Sequence, residues 1–340
     1  MFALFLRLFA FLILASISLY STAQEVKIGK ITGGATHEIP AWFTDSFLEI
    51  GEDVEDALDS NQTVLLYLHL DSCPYCSAML DQNFNSGDNL AFIKQHFSVI
   101  AVNIKGDREI TLSEDETLLE KELSKQLKVQ YTPTIIFIGE DGKPSFRTNG
   151  YRTPEAFRHV LDYVASQAYK KFTLSDYIET TKKSSSDYAF INYPSLEKVN
   201  SLQGYSQPVA IIFEDKDCSD CEEFHHQLIN RADVKVELSK YLLIRFDAYS
   251  DQIIIDLDGK ITSPRQMVKD HDLNYRPGIL LFNEGKNITK IDGKLYSFHF
   301  NTVLRYVSAK HYDAYPRFGD YLKVRQQQLL NQGIDINIVD

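Results

Sequence analysis

VLLYLHLDSCPYC, residues 64–76, joins an apolar run to a Cys-Pro-Tyr-Cys motif, and its reading decides the fold. Val64 to Leu70 reads as a strand, and a helical stretch follows Cys76. The same arrangement returns further on, where VAIIF (Val209 to Phe213) leads into Cys218-Ser219-Asp220-Cys221. The two motifs use all 4 cysteines and start 218 − 73 = 145 positions apart.

Other features keep the same interval. Thr132-Pro133 opens the run Thr134-Ile135-Ile136-Phe137, and Arg276-Pro277 opens Gly278-Ile279-Leu280-Leu281-Phe282; the cysteine-to-proline separations are 133 − 73 = 60 and 277 − 218 = 59. Phe157, Val160, Leu161, Tyr163, Val164 and Tyr169 recur 143 positions later as Phe300, Val303, Leu304, Tyr306, Val307 and Tyr312. Asp176-Tyr177 and Asp320-Tyr321 continue the register. A duplicated domain accounts for all of these at once. Each half reads helix, strand, C-x-x-C helix, strand, helix, proline-led strand, strand, helix. Ser98–Ile104 and Leu242–Phe246 are the second strands, and Glu140-Asp141-Gly142-Lys143 and Asn283-Glu284-Gly285-Lys286 are hairpin turns. The crossover makes strands parallel and the hairpin makes them antiparallel, so each sheet is mixed. The expected class is α/β, with two tandem thioredoxin-fold domains, each a central mixed β-sheet flanked by helices. The expected division is 1–23 signal peptide, 24–180 first domain with C-P-Y-C, and 181–340 second domain with C-S-D-C and a C-terminal helix.

Length and composition agree with that division. A chain of 340 residues exceeds what one small domain needs, and 44% hydrophobic with 12% aromatic residues suffices for packed cores. The net charge of −12 is spread along the chain and excludes nucleic acid as a partner, because phosphates would be repelled. Arg7, the apolar run from Leu8 to about Leu19 and the small residues Ser21-Thr22-Ala23 read as a secretory signal. The alternative, an uncleaved anchor, suffers from a run shorter than the roughly 20 residues a spanning helix needs, so no stable membrane anchor is expected. No cysteine near the cut allows lipidation, and export leads to a compartment where disulfides persist.

A cysteine at a helix N-terminus has its thiolate stabilised by unpaired backbone N–H groups and the helix dipole, which makes Cys73 the expected nucleophile. Cys76, about one turn on, is the resolving thiol that releases the reduced product. Pro74 suits a first turn because it lacks an N–H that would go unsatisfied there, and Tyr75 offers an apolar flank for docking. A structural zinc pair or an inert disulfide are the alternatives, and zinc would need two more ligands.

Asn83 through Phe97, Asn103-Ile104-Lys105-Gly106-Asp107-Arg108-Glu109, Glu120-Lys121-Glu122-Leu123 and Val129-Gln130-Tyr131-Thr132-Pro133-Thr134 resemble SoxW-type periplasmic thioredoxins, associated with bacterial sulfur oxidation. The closing stretch Asp320-Tyr321-Leu322 to Gly333-Ile334-Asp335 is similar to that family's last helix. The resemblance implies a periplasmic dithiol protein without cofactor or metal ion. It would be kept reduced by a membrane electron donor and reduce, or isomerise, disulfides or sulfur adducts of partner proteins. It also implies that Pro133 is a cis proline facing the dithiol, with Thr132 pairing its backbone to an extended substrate. Two positions depart from thioredoxin: Ser72 stands where many members carry tryptophan, and Tyr67 where thioredoxin buries a carboxylate. Proton transfer from Cys76 then falls to water or another group, with His69 either a helper or a packed strand residue.

The second pair is framed by Glu214, Asp215, Asp217, Glu222 and Glu223, which raise a thiol pKa by repulsion and oppose the helix dipole. Cys218 is therefore expected to be the weaker nucleophile, with Arg276 before Pro277 partly restoring the balance. Cys218/Cys221 reads as a second redox pair, a stable disulfide or a docking element. A copper or zinc site with His225, four residues from Cys221, is a further reading; the plainer one makes His225 and His226 surface residues of an acidic helix. Asn61 and Asn287 head sequons that matter only in a eukaryotic host. The leading function is an exported thiol–disulfide oxidoreductase. Against it stand a metal-handling or protein-docking module without turnover, and an endoplasmic-reticulum isomerase, which the ending Asp335-Ile336-Asn337-Ile338-Val339-Asp340 disfavours because it carries no retention signal.

Overall fold

The structure, a computed structural model, describes residues 27–181, 188–191, 196–197, 199–216 and 218–340. The expected signal peptide and Asp217 of the acidic frame lie outside the described residues. Among the described residues no helix is long and apolar enough to cross a membrane.

A short strand β1 (Ile31–Thr32) comes first. Helix α1 (Ile50–Asp59) turns Ile50, Val54 and Ala57 inward, the spacing of one helix face. Strand β2 (Thr63–His69) leads into α2 (Pro74–Met79), which continues through a π-helical turn at Leu80–Phe84, and then come α3 (Asp88–His96) and β3 (Phe97–Asn103). A hairpin of β4 (Glu109–Ser113) and β5 (Glu116–Leu119) precedes α4 (Glu120–Gln126). Its first strand alternates polar and apolar residues, Glu109-Ile110-Thr111-Leu112-Ser113, a signal that the expected element order leaves unused. The proline-led hairpin of β6 (Thr134–Ile138) and β7 (Pro144–Asn149) follows, then α5 (Pro154–Ala165) and α6 (Leu174–Thr181). The sheet order is β3-β2-β6-β7, with β2 parallel to β3 and antiparallel to β6. Leu65 and Tyr67 face a core with Met79, Phe84 and Phe157, while Val64, Leu66 and Leu68 face another with Val54, Ile100 and Ile136. Burial on both faces is why residues 64–70 read as one unbroken apolar run.

The second half repeats this plan from its central strand onward, but among the described residues a short edge strand, rather than the expected helix, precedes that strand. Edge strand β8 (Leu196–Glu197) and central β9 (Val209–Glu214) precede α7 (Ser219–Glu223), again extended by a π-helical turn, Phe224–Ile229. After α8 (Ala232–Leu238) and β10 (Leu242–Asp247), a small hairpin of β11 (Ile254–Ile255) and β12 (Ile261–Thr262) leads to α9 (Pro264–Asp270). Strands β13 (Gly278–Asn283) and β14 (Lys286–Ile291) and helix α10 (Ser297–Ser308) complete the repeat, and the sheet order is β14-β13-β9-β10-β8. Two further helices, α11 (His311–Ala314) and α12 (Phe318–Asn331), are followed by β15 (Ile336–Asn337), which pairs in parallel with β1. The α/β class with two mixed sheets is as expected.

Candidate functional site

At the first motif Cys73 caps α2, Pro74 takes the first helical position, and the Cys76 N–H points at Cys73 Sγ at 3.1 Å. The pair is a disulfide here, with Cys76 fully buried and Cys73 6% exposed. The Thr132–Pro133 peptide is cis, and it brings the Thr132 hydroxyl to 3.4 Å and its carbonyl oxygen to 3.6 Å from Cys73 Sγ. Gly150 N–H donates to the Pro133 carbonyl at 2.8 Å, so the loop after β7 borders the same spot. Cys73, Cys76, Thr132 and Pro133 thus converge. Beneath them the Tyr67 hydroxyl donates to the Cys76 carbonyl at 2.9 Å, and burial holds this phenol well above its usual range. His69 sits 3.1 Å from the His37 imidazole, and burial, helped by His37, pushes it down to about 4. It is a neutral, packed imidazole at neutral pH.

Cys218 caps α7 in the same way, with Cys221 N–H at 3.0 Å from its sulfur, and this pair is also a disulfide followed by a cis bond, Arg276–Pro277. The acidic frame differs from expectation. Glu214 is buried and accepts from the Tyr188 hydroxyl at 2.6 Å and His225 Nε2 at 2.5 Å, with Arg245 at 4.0 Å. Asp215 lies 3.7 Å from Arg276, Glu223 accepts from Lys294 at 2.6 Å, and Asp220 accepts from Thr153 at 2.8 Å. Among the described residues of the frame only Glu222 stands exposed. Glu214, Asp215 and Glu223 hold partners of their own, so their repulsion at Cys218 is weaker than a count of the frame's charges implies. His225 is a second correction. It is 1% exposed rather than on the surface, and it is committed to Glu214 rather than turned toward a metal with the cysteines; His226 is exposed. Among the described residues no group of three or more His, Cys, Asp or Glu is placed to hold a metal ion.

Sequence reasoning missed this buried set, although the repeat interval contains its signal. Shifting by 145 positions aligns Tyr188, Glu214 and His225 with Phe43, His69 and Leu80. The layer beneath the second dithiol therefore carries a phenol, a carboxylate and an imidazole where that beneath the first carries Phe43, His69 and Leu80.

Tyr75 is a third correction. Rather than an open docking flank it is only 9% exposed: its hydroxyl meets His299 Nδ1 at 3.1 Å and accepts from Tyr296 N–H at 3.0 Å, and its ring stacks on Tyr296 at 4.9 Å. The reciprocal contact is Asp220 on Thr153. Tyr75 and Asp220 hold the same motif position, and Thr153 and Tyr296 are related by 296 − 153 = 143. Gly150 and Gly293, also 143 apart, meet between them; a Cβ on Gly293 would lie 3.6 Å from Gly150 Cα and 3.3 Å from the Asn149 carbonyl oxygen. Contacts made twice in opposite directions are those of an approximate twofold axis. Beside the axis, Arg152 is buried and donates to the Asn274 carbonyl at 3.1 Å and the Asp292 carboxylate at 3.2 Å.

A family model described as a thioredoxin-like domain matches residues 50–165 and again residues 197–308. No curated protein matches the chain. Among solved structures it is similar to a thioredoxin-fold protein from Helicobacter pylori, at 24% identity over 35% of this chain and 84% of that one, with a TM-score of 0.32. It is also similar to a thioredoxin from Thermus thermophilus (22% identity, 33% of this chain, 84% of that one, TM-score 0.26). A disulphide isomerase from Xylella fastidiosa Temecula1 is similar at 17% identity over 44% of this chain and 100% of that one, with a TM-score of 0.26.

Proposed function

The chain belongs to the thioredoxin-like domain family in both of its halves, and from that premise we propose that it is an exported, periplasmic thiol–disulfide oxidoreductase working through Cys73 and Cys76. Its substrates in this reading are disulfides or sulfur adducts of partner proteins, which it reduces or isomerises. A membrane electron donor returns the dithiol to its reduced form, in a SoxW-like role in sulfur oxidation. The domain division at residues 180 and 181 belongs to the same reading.

The observation that supports it most is the convergence on one sulfur: Cys73 starts a helix and has the carbonyl and hydroxyl oxygens of Thr132 within 3.6 Å. The helix start stabilises the Cys73 thiolate, which attacks a substrate disulfide. The Thr132 backbone is placed to pair with the extended substrate. Cys76 then attacks Cys73 Sγ and releases the reduced product. Tyr67 keeps its proton and donates it in a hydrogen bond to the Cys76 carbonyl, so it does not take up the proton leaving Cys76, which falls to water or another group. With Tyr75 covered, a partner reaches Cys73 along the exposed Tyr131 and half-buried Thr132.

Insulin reduction by the full chain tests the reading. Cys73→Ser is expected to slow it at least about tenfold, and equal rates for the two proteins would reject the assignment.

A further inference from the structure

The second dithiol opens onto a narrow cleft of about 50 Å³ that both halves build. One wall is Glu155, Ala156, His159 and Ser175 of the first half; Tyr249 and Arg276 stand beside Cys218 on the other. Three contacts hold the walls together. Thr153 donates to Asp220 at 2.8 Å, the Ser219 hydroxyl to Glu155 at 3.0 Å, and Arg276 to the Ser175 hydroxyl at 2.9 Å. Such a space holds roughly three to five waters. An extended polypeptide would need about 4.8 Å of lateral room beside the proline loop over several residues, and α5 and α6 of the first half stand there.

We propose that Cys218 and Cys221 form a second exchange site whose substrates are low-molecular-weight disulfides rather than protein disulfides. The inference rests on the exchange chemistry proposed for the first pair, but not on which substrates Cys73 takes. The Cys218 thiolate attacks one sulfur of RS–SR, forming Cys218–S–S–R and expelling RS⁻. The Cys221 thiolate then attacks Cys218 Sγ, forming the Cys218–Cys221 disulfide and expelling the second RS⁻. The two thiol protons leave with the two RS⁻ as RSH. Two electrons pass from the pair to the substrate, and a dithiol reductant restores the thiols.

The test uses the full chain carrying Cys73→Ser and Cys76→Ser, reduced with dithiothreitol and freed of it, so that lost thiols report the second pair alone. Its rate constant with hydroxyethyl disulfide is expected to exceed that with insulin at least about tenfold, because access limits attack. Equal or faster oxidation by insulin overturns the proposal, and so does failure of both disulfides to oxidise the pair. A second measurement is alkylation of the same Cys73→Ser, Cys76→Ser chain, reduced and folded. Iodoacetamide should modify Cys218 while a polyethylene-glycol maleimide should not until urea is added; equal reaction with both in the folded chain, or with neither, overturns it as well. The parallel chain carrying Cys218→Ser and Cys221→Ser reads the first pair alone. Loss of insulin reduction there rejects the function proposed for Cys73 and leaves the cleft result to be read separately.

Discussion

Replacing Arg152 by leucine is expected to lower the unfolding free energy by about 3–5 kcal/mol, the range for breaking a buried ion pair from one side. Arg152 is 0% exposed, and its guanidinium bonds the Thr148 hydroxyl, the Asn274 carbonyl and both the carbonyl and carboxylate of Asp292. Asp292 also accepts from the backbone N–H groups of Asn274 at 2.6 Å and Tyr275 at 2.7 Å. Burial pushes the Asp292 carboxyl above its ordinary range, and the Arg152 charge is the largest influence drawing it back. Without Arg152 that carboxylate stays buried without its cation, and the first half loses its hold on two second-half segments, the one carrying Asn274 and the loop after β14. Urea titration of the single variant, and of a double variant that also carries Asp292→Asn, measures this. The single change should cost more than the double one. A single-variant loss under about 1 kcal/mol would remove the pair from the account of the interface.

Acid should loosen the same interface through His299. Burial pushes this imidazole down to about 4 from 6.5, and its Nδ1 meets the Tyr75 hydroxyl at 3.1 Å. In the unfolded chain the ring takes a proton near 6.5, whereas in the folded chain it resists until about 4. Between those values the unfolded state binds more protons, so stability is lost as pH falls. By pH 4.5 the loss from this one group is about 2–3 kcal/mol. Asp220 and Asp292, whose carboxyls burial raises, act in the opposite direction: they favour the folded state in acid. Comparing the full chain with His299→Gln by urea titration at pH 7.5 and 4.5 isolates the histidine. The variant should lose that much less between the two pH values, and identical slopes would show that His299 does not set the acid sensitivity.

Those two residues show where the sequence stops being legible. The duplication, the central strands, the helix-capping cysteines and the prolines of Thr132-Pro133 and Arg276-Pro277 could be read, because each depends on neighbours within a few residues or on an interval that the chain repeats. The expected Ser98–Ile104 strand is observed as Phe97–Asn103, a shift of one residue. In sequence Tyr75 reads as an open flank because nothing near it covers it; its cover, Tyr296 and His299, lies more than 200 positions away. The acidic frame is incomplete for a related reason. Counting Glu214, Asp215 and Glu223 as charges beside Cys218 ignores Tyr188, His225, Arg276 and Lys294, which folding brings to them. A carboxylate's effect on a thiol depends on its partners as much as on its distance.

The approximate twofold axis between Gly150 and Gly293 carries a consequence of its own. In a pair of identical subunits every substitution at such an axis appears on both sides, so neither side can change without the other. Fusing the copies into one chain lifts that constraint. One side of this interface is now a tyrosine stack, Tyr75 on Tyr296, and the other a carboxylate on a hydroxyl, Asp220 on Thr153. The molecule keeps the geometry of a homodimer while its two sulfur centres are free to evolve apart, toward unequal potentials or unequal clienteles, without either change being copied onto its twin.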